Sequence, residues 1–115
     1  GGSLVAACGV PREAADLAAS AAAAITIPAA DADVRAALAA QPAAWERLDQ
    51  TLAQQQFGGI TGVDDQFRAL VTRTAALARR DAELIAQGRD DPAEDREALA
   101  QFSALWQQAS RYLKN

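Results

Sequence analysis

The sequence predicts an all-α fold, an antiparallel four-helix bundle forming one domain, with the second helix broken near Pro42. Three observations carry that class. The chain is alanine-rich with few runs of β-branched residues, which favours helix over strand. Its apolar residues recur every third or fourth position in segment after segment. Its connections are short and carry helix-start and helix-stop residues, so consecutive helices must fold back on one another. At 115 residues there is room for one core. With two tryptophans, one tyrosine and three phenylalanines, much of that core must form by close approach of helices.

Taken in order, Gly1, Gly2 and Ser3 read as an expression scar, and residues 1–10 are set apart from the bundle domain at 11–115. The first helix is predicted from about Pro11 to Ile25 or Thr26. Pro11 suits a first turn, where its missing amide costs nothing, and Glu13 and Asp16 complement the helix dipole. Ala14, Leu17, Ala18, Ala21 and Ile25 give its apolar spacing. The Ala21–Ala24 run falls far short of the ~20 apolar residues a membrane span requires. Pro28 ends the helix by pushing its predecessor out of the α region.

Asp31 is expected to cap the second helix, which carries Val34, Ala37 and Leu38 and then, beyond Pro42, Trp45, Leu48 and Leu52. A kink or tight junction is expected near Gln41, since no loop-length polar run separates two helical patterns. Phe57-Gly58-Gly59-Ile60-Thr61-Gly62 is the reversal into the third helix. It has neither the lysine of a P-loop nor the spacing of a dinucleotide fingerprint, and no strand precedes it.

The third helix is predicted over Val63–Gln87, with Thr61 and Asp64 as a capping box and Gly88 as the stop. Val63, Phe67, Leu70, Thr74, Leu77, Asp81 and Leu84 form an unbroken 4-3-4-3-4-3 seam, widened by Val71, Ala78 and Ile85. Asp91 as N-cap, Pro92 as first helical residue and Glu94 as the capping-box acid start the last helix. Its seam is Leu99, Phe102, Trp106, Ala109 and Leu113. The last two helices are expected to form the hairpin that holds the core, with Phe67, Leu70, Leu77, Leu99, Phe102 and Trp106 buried together.

Composition excludes much chemistry. Without histidine there is no Ser-His-Asp relay, no Glu-x-x-His di-metal bundle and no imidazole zinc or copper site. No acid pair is placed for glycoside chemistry, so no catalytic, metal or cofactor site is expected and the chain is not expected to be an enzyme. A net charge of -4 argues against nucleic acid, whose phosphates need a basic stripe, and Arg73 and Arg80 are flanked by acids. Trp45 and Trp106 are in register with the seams of their own helices, which assigns them to the core; the alternative is that they stack a ligand between helices. Asp81 is the polar member of its seam. It is expected to reach water or pair with Arg80 or Arg96, or else to line a ligand site or set register.

Leu4-Val5-Ala6-Ala7-Cys8 resembles a bacterial lipobox, in which small residues precede the cysteine to which lipid is attached after signal-peptide cleavage. The resemblance implies lipid on Cys8 and a place in the bacterial cell envelope, in the periplasm or anchored to the membrane. With no catalytic constellation, it also implies a binding or scaffold subunit acting through protein contacts. The alternative is a ligand-sensing periplasmic bundle, since the layout is similar to the helical sensor domains of chemoreceptors.

Overall fold

The computed structural model describes residues 12–54 and 65–114. Cys8 and the lipobox-like stretch, Pro11, the glycine-rich reversal, Thr61, Val63 and Asp64 lie outside the described residues. Among the described residues four helices follow one another: α1, Arg12–Ala24; α2, Asp31–Gln54; α3, Asp65–Ala86; and α4, Pro92–Lys114. They pack as an antiparallel bundle. Asp49 meets Thr72 and Glu46 meets Arg79 between α2 and α3, and Phe67 at the start of α3 stacks on Tyr112 near the end of α4.

Each boundary has a local cause. The carbonyl of Ala30 accepts the amides of Asp33 and Val34, so Asp31 stands in the first turn of α2 rather than capping it. Its carboxylate goes instead to Arg96, 2.7 Å away, and the same guanidinium donates to the carbonyls of Pro28 and Ala29. Arg96 thereby ties the α1–α2 connection to the start of α4.

At the end of α3, Gly88 adopts φ +69°, its amide donates to Ile85 and the amide of Arg89 donates to Leu84. This is the Schellman pattern, in which a left-handed glycine lets the last carbonyls find partners. Asp91 then caps α4 as expected, accepting the amide of Glu94 at 3.2 Å.

The break expected near Pro42 is replaced by one continuous helix of 24 residues with Pro42 inside it. An interior proline removes a backbone bond and crowds the preceding turn, at about 3 kcal/mol. The compensation is a buried stripe, Val34, Leu38, Gln41, Trp45, Leu48 and Leu52, that stays in helical phase across the proline. Packing of that stripe outweighs the local preference.

The core is made by these residues with Ala14 and Ala18 of α1, Phe67, Val71, Ala75 and Ala78 of α3, and Leu99, Phe102, Trp106, Ala109 and Leu113 of α4. The pairing differs from the hairpin expected. The closest backbone approaches are α2 with α3 and α1 with α4, with α2 also against α4. The face of α3 is correspondingly turned: Val71, Ala75 and Ala78 are buried, Leu70, Asp81 and Leu84 are half-buried, and Leu77 is 52% exposed. Alanine explains the rotation, because Ala75 and Ala78 let the α2 and α3 backbones come together where leucine would hold them apart. The leucines are left facing the wider space between α3 and α4.

Candidate functional site

The two tryptophans occupy the middle of the core. Their rings stack at 3.8 Å between centroids with 21° between planes, and both indoles are about 99% enclosed. Each indole nitrogen donates to the same acceptor, Gln41 Oε1, at 3.1 Å for Trp45 and 2.8 Å for Trp106. A buried N–H without a partner is costly, so one glutamine oxygen with two lone pairs satisfies both rings. At this separation the rings leave no slot for a flat ligand between them, and their place is structural.

Asp81 lies elsewhere and does not meet the tryptophans. It is half-buried, forms no hydrogen bond or ion pair among the described residues, and lines an open hollow where water reaches it. Burial raises its carboxyl above the usual carboxylate range, partly offset by Arg80. Of the two expected partners, Arg96 is committed to Asp31 and Pro28. Cys8 lies outside the described residues.

The feature that the described residues do assemble is a row of three hollows that together make a groove-like α3–α4 face. Near the start of α3 it opens as a hollow of about 640 Å³ lined by Phe67, Leu70, Arg73, Gln108 and Tyr112, whose phenyl and phenol rings stack at 4.1 Å. Further along, about 250 Å³ lies between Leu77 and Asp81 on one side and Glu94, Glu97, Ala98, Gln101 and Leu105 on the other, with Phe102 at its base. At the turn it narrows to about 60 Å³ beside Asp81, Leu84, Asp90 and Asp95. Apolar and polar residues alternate along this face: each hollow is bordered by a leucine, the turn end gathers Asp81, Asp90, Asp91, Glu94 and Asp95 around Arg89, and the other end carries Arg73.

The turn end contains a buried carboxyl pair. Asp95 is 7% exposed and lies against Asp90, which Arg35 approaches at 3.7 Å. Burial first, then the hydrogen bond and charge of Asp90, push the Asp95 carboxyl up to about 6, against the pull of Arg35 and with a further push from Asp91. The pair therefore holds a proton at mildly acid pH. No group of three or more metal-ligating side chains is assembled among the described residues.

Sequence reasoning identified Asp81, Trp45 and Trp106 but missed Gln41, the Asp90–Asp95 pair and the groove. Gln41 had a signal, since it sits four residues before Trp45 in the buried phase of α2. The groove had one too, for Leu70, Leu77 and Leu84 repeat every seven residues on α3, as do Ala98, Leu105 and Tyr112 on α4.

The chain matches no protein-family model. Neither a curated protein nor a solved structure shows significant similarity to it. Among the described residues, no helix is long and apolar enough to cross a membrane.

Proposed function

We propose that this chain is a non-catalytic protein-binding bundle of the bacterial cell envelope, tethered through lipid on Cys8 and engaging its partner through the α3–α4 face. The observation that carries the reading is Leu77, a leucine half exposed in the middle of three hollows along the α3–α4 face while Val71, Ala75 and Ala78 of the same helix fill the core. A single exposed leucine is ordinary, but one flanked by Leu70, Leu84, Leu105 and Tyr112 along a groove is the kind of surface that interaction sites use. The lipobox-like sequence supports the tether: acyl chains contribute about 0.8 kcal/mol per buried methylene, and more than one chain gives durable anchoring. The ligand-sensing alternative loses its two aromatic contacts, because Trp45 and Trp106 stack on each other and share Gln41.

Photo-crosslinking in the native host tests the docking face. A photoreactive residue in place of Leu77 is expected to trap a protein, and one at exposed Ala40 on α2 is expected to trap none. Equal trapping from both positions, or none from residue 77, would refute the reading. Mass spectrometry of the membrane-extracted protein tests the tether: acylated Cys8 is expected, and an unmodified Cys8 would remove it.

A further inference from the structure

Resting on that docking face, we infer that its occupant is a single amphipathic helix of another protein, with apolar residues at heptad spacing and lysine or arginine at the end that lies beside Asp81, Glu94 and Glu97. Shape, spacing and charge each point there.

Three hollows lie in line between two antiparallel helices, and each is bordered by one member of two seven-residue repeats: Leu70, Leu77 and Leu84 on α3, and Tyr112, Leu105 and Ala98 on α4. Seven-residue repeats on two neighbouring helices are what a third helix packs into as knobs into holes. From Leu70 to Leu84 the rim runs for about 21 Å at 1.5 Å per residue, four turns of an incoming helix. A second copy of the chain is a poorer fit, since two concave faces set against each other leave a hollow where one convex helix fills it.

Charge fixes the partner's polarity. Asp81, Glu94 and Glu97 line the hollow beside Leu77 and no cation lines it with them; Arg89 is the cation nearer the turn. Glu94 and Glu97 are exposed and make no ion pair among the described residues. At the other end, Arg73 borders the groove with no acid lining that hollow and makes no ion pair among the described residues. An apolar helix basic at one end and neutral or acidic at the other meets both, whereas an acidic end beside Glu97 is repelled.

Fluorescence anisotropy with two synthetic helical peptides of about 15 residues, the length of the rim, tests this. Both carry the same heptad leucines; one ends in lysines where the other ends in glutamates. The lysine peptide is expected to bind the full chain at least about tenfold more tightly, with the preference shrinking as salt screens it. Leu77→Glu is expected to weaken binding by about tenfold or more, and Asp81→Lys with Glu97→Lys to reverse the preference, each with an unchanged circular-dichroism spectrum. Equal affinity for the two peptides, binding of neither, or indifference to Leu77→Glu overturns the basic-helix assignment. A wild-type dimer in sedimentation that Leu77→Glu dissolves also overturns it, assigning the groove to a second copy. Crosslinking from residue 77 reports separately: a trapped protein with no charge preference in the peptides removes the partner class and leaves the docking face.

Discussion

Two helix pairs in this bundle are built from similar residues and do opposite things. Between α2 and α4, Trp45 and Trp106 stack at 3.8 Å, share Gln41, and belong to the same buried core as Leu38, Leu48, Leu99 and Phe102. Between α3 and α4, leucines at equally regular spacing border an open groove, and Leu77 is half exposed. The difference lies in the neighbours rather than in the seams themselves. Alanines draw α3 onto α2 and α1 onto α4, and the bulky indoles fill the α2–α4 diagonal, so the leucine seam of α3 is left at the rim. A regular apolar seam thus identifies a face that wants cover, without saying that the same chain covers it.

The largest expected effect lies on the closed side. Trp106→Ala removes one half of the stack and opens a cavity, and chemical denaturation is expected to show a loss of about 3–5 kcal/mol. A loss below about 1 kcal/mol would mean that the indole layer does not organise the core. Gln41→Met preserves bulk but strands two buried indole N–H groups. A loss of about 1–3 kcal/mol is expected. A variant as stable as wild type would show that the shared acceptor is not needed.

At the turn that sets the groove's end, Gly88→Ala puts a side chain on a residue at φ +69°, with nothing within 4 Å to clash. The cost is conformational, about 1 kcal/mol. Replacement by asparagine, which tolerates this region, is expected to cost less; equal costs would point away from backbone strain.

Asp95 gives the boundary between the two regions a pH dependence. Its folded carboxyl is pushed up to about 6 from 3.8, so between those values the folded chain holds a proton that the unfolded chain has released. Stability therefore falls as pH rises through that window, and the deficit persists above it. Asp95→Asn is expected to melt higher than wild type at neutral pH and to flatten this slope. A variant that melts lower than wild type at neutral pH while keeping the slope would show that the ionised carboxylate is tolerated where it lies.

Much of the fold was legible because its signals are local. The Asp91 cap, the Gly88 stop and the register of Leu99, Phe102 and Trp106 each follow from a few neighbouring residues. Pro42 was misread because its effect depends on tertiary packing: the buried phase running from Val34 to Leu52 carries the helix through it. The face of α3 was misread for a related reason, since Val71, Ala75 and Ala78 outrank Leu70 and Leu77 only once α2 is in place. The groove was legible as seven-residue repeats but not as a site, because openness is a property of two helices together. Asp95 was invisible in sequence, as its environment comes from Asp90 in the preceding connection and Arg35 on α2.

The most direct measurement on the open groove is the melting temperature of Leu77→Glu beside that of wild type. A half-exposed leucine facing solvent can exchange for glutamate with a change within about 4 °C, corresponding to about 1 kcal/mol or less in a chain of this size. A fall of about 10 °C or more would mean that Leu77 is enclosed in solution, that α3 and α4 close on each other, and that no groove is left for a partner helix.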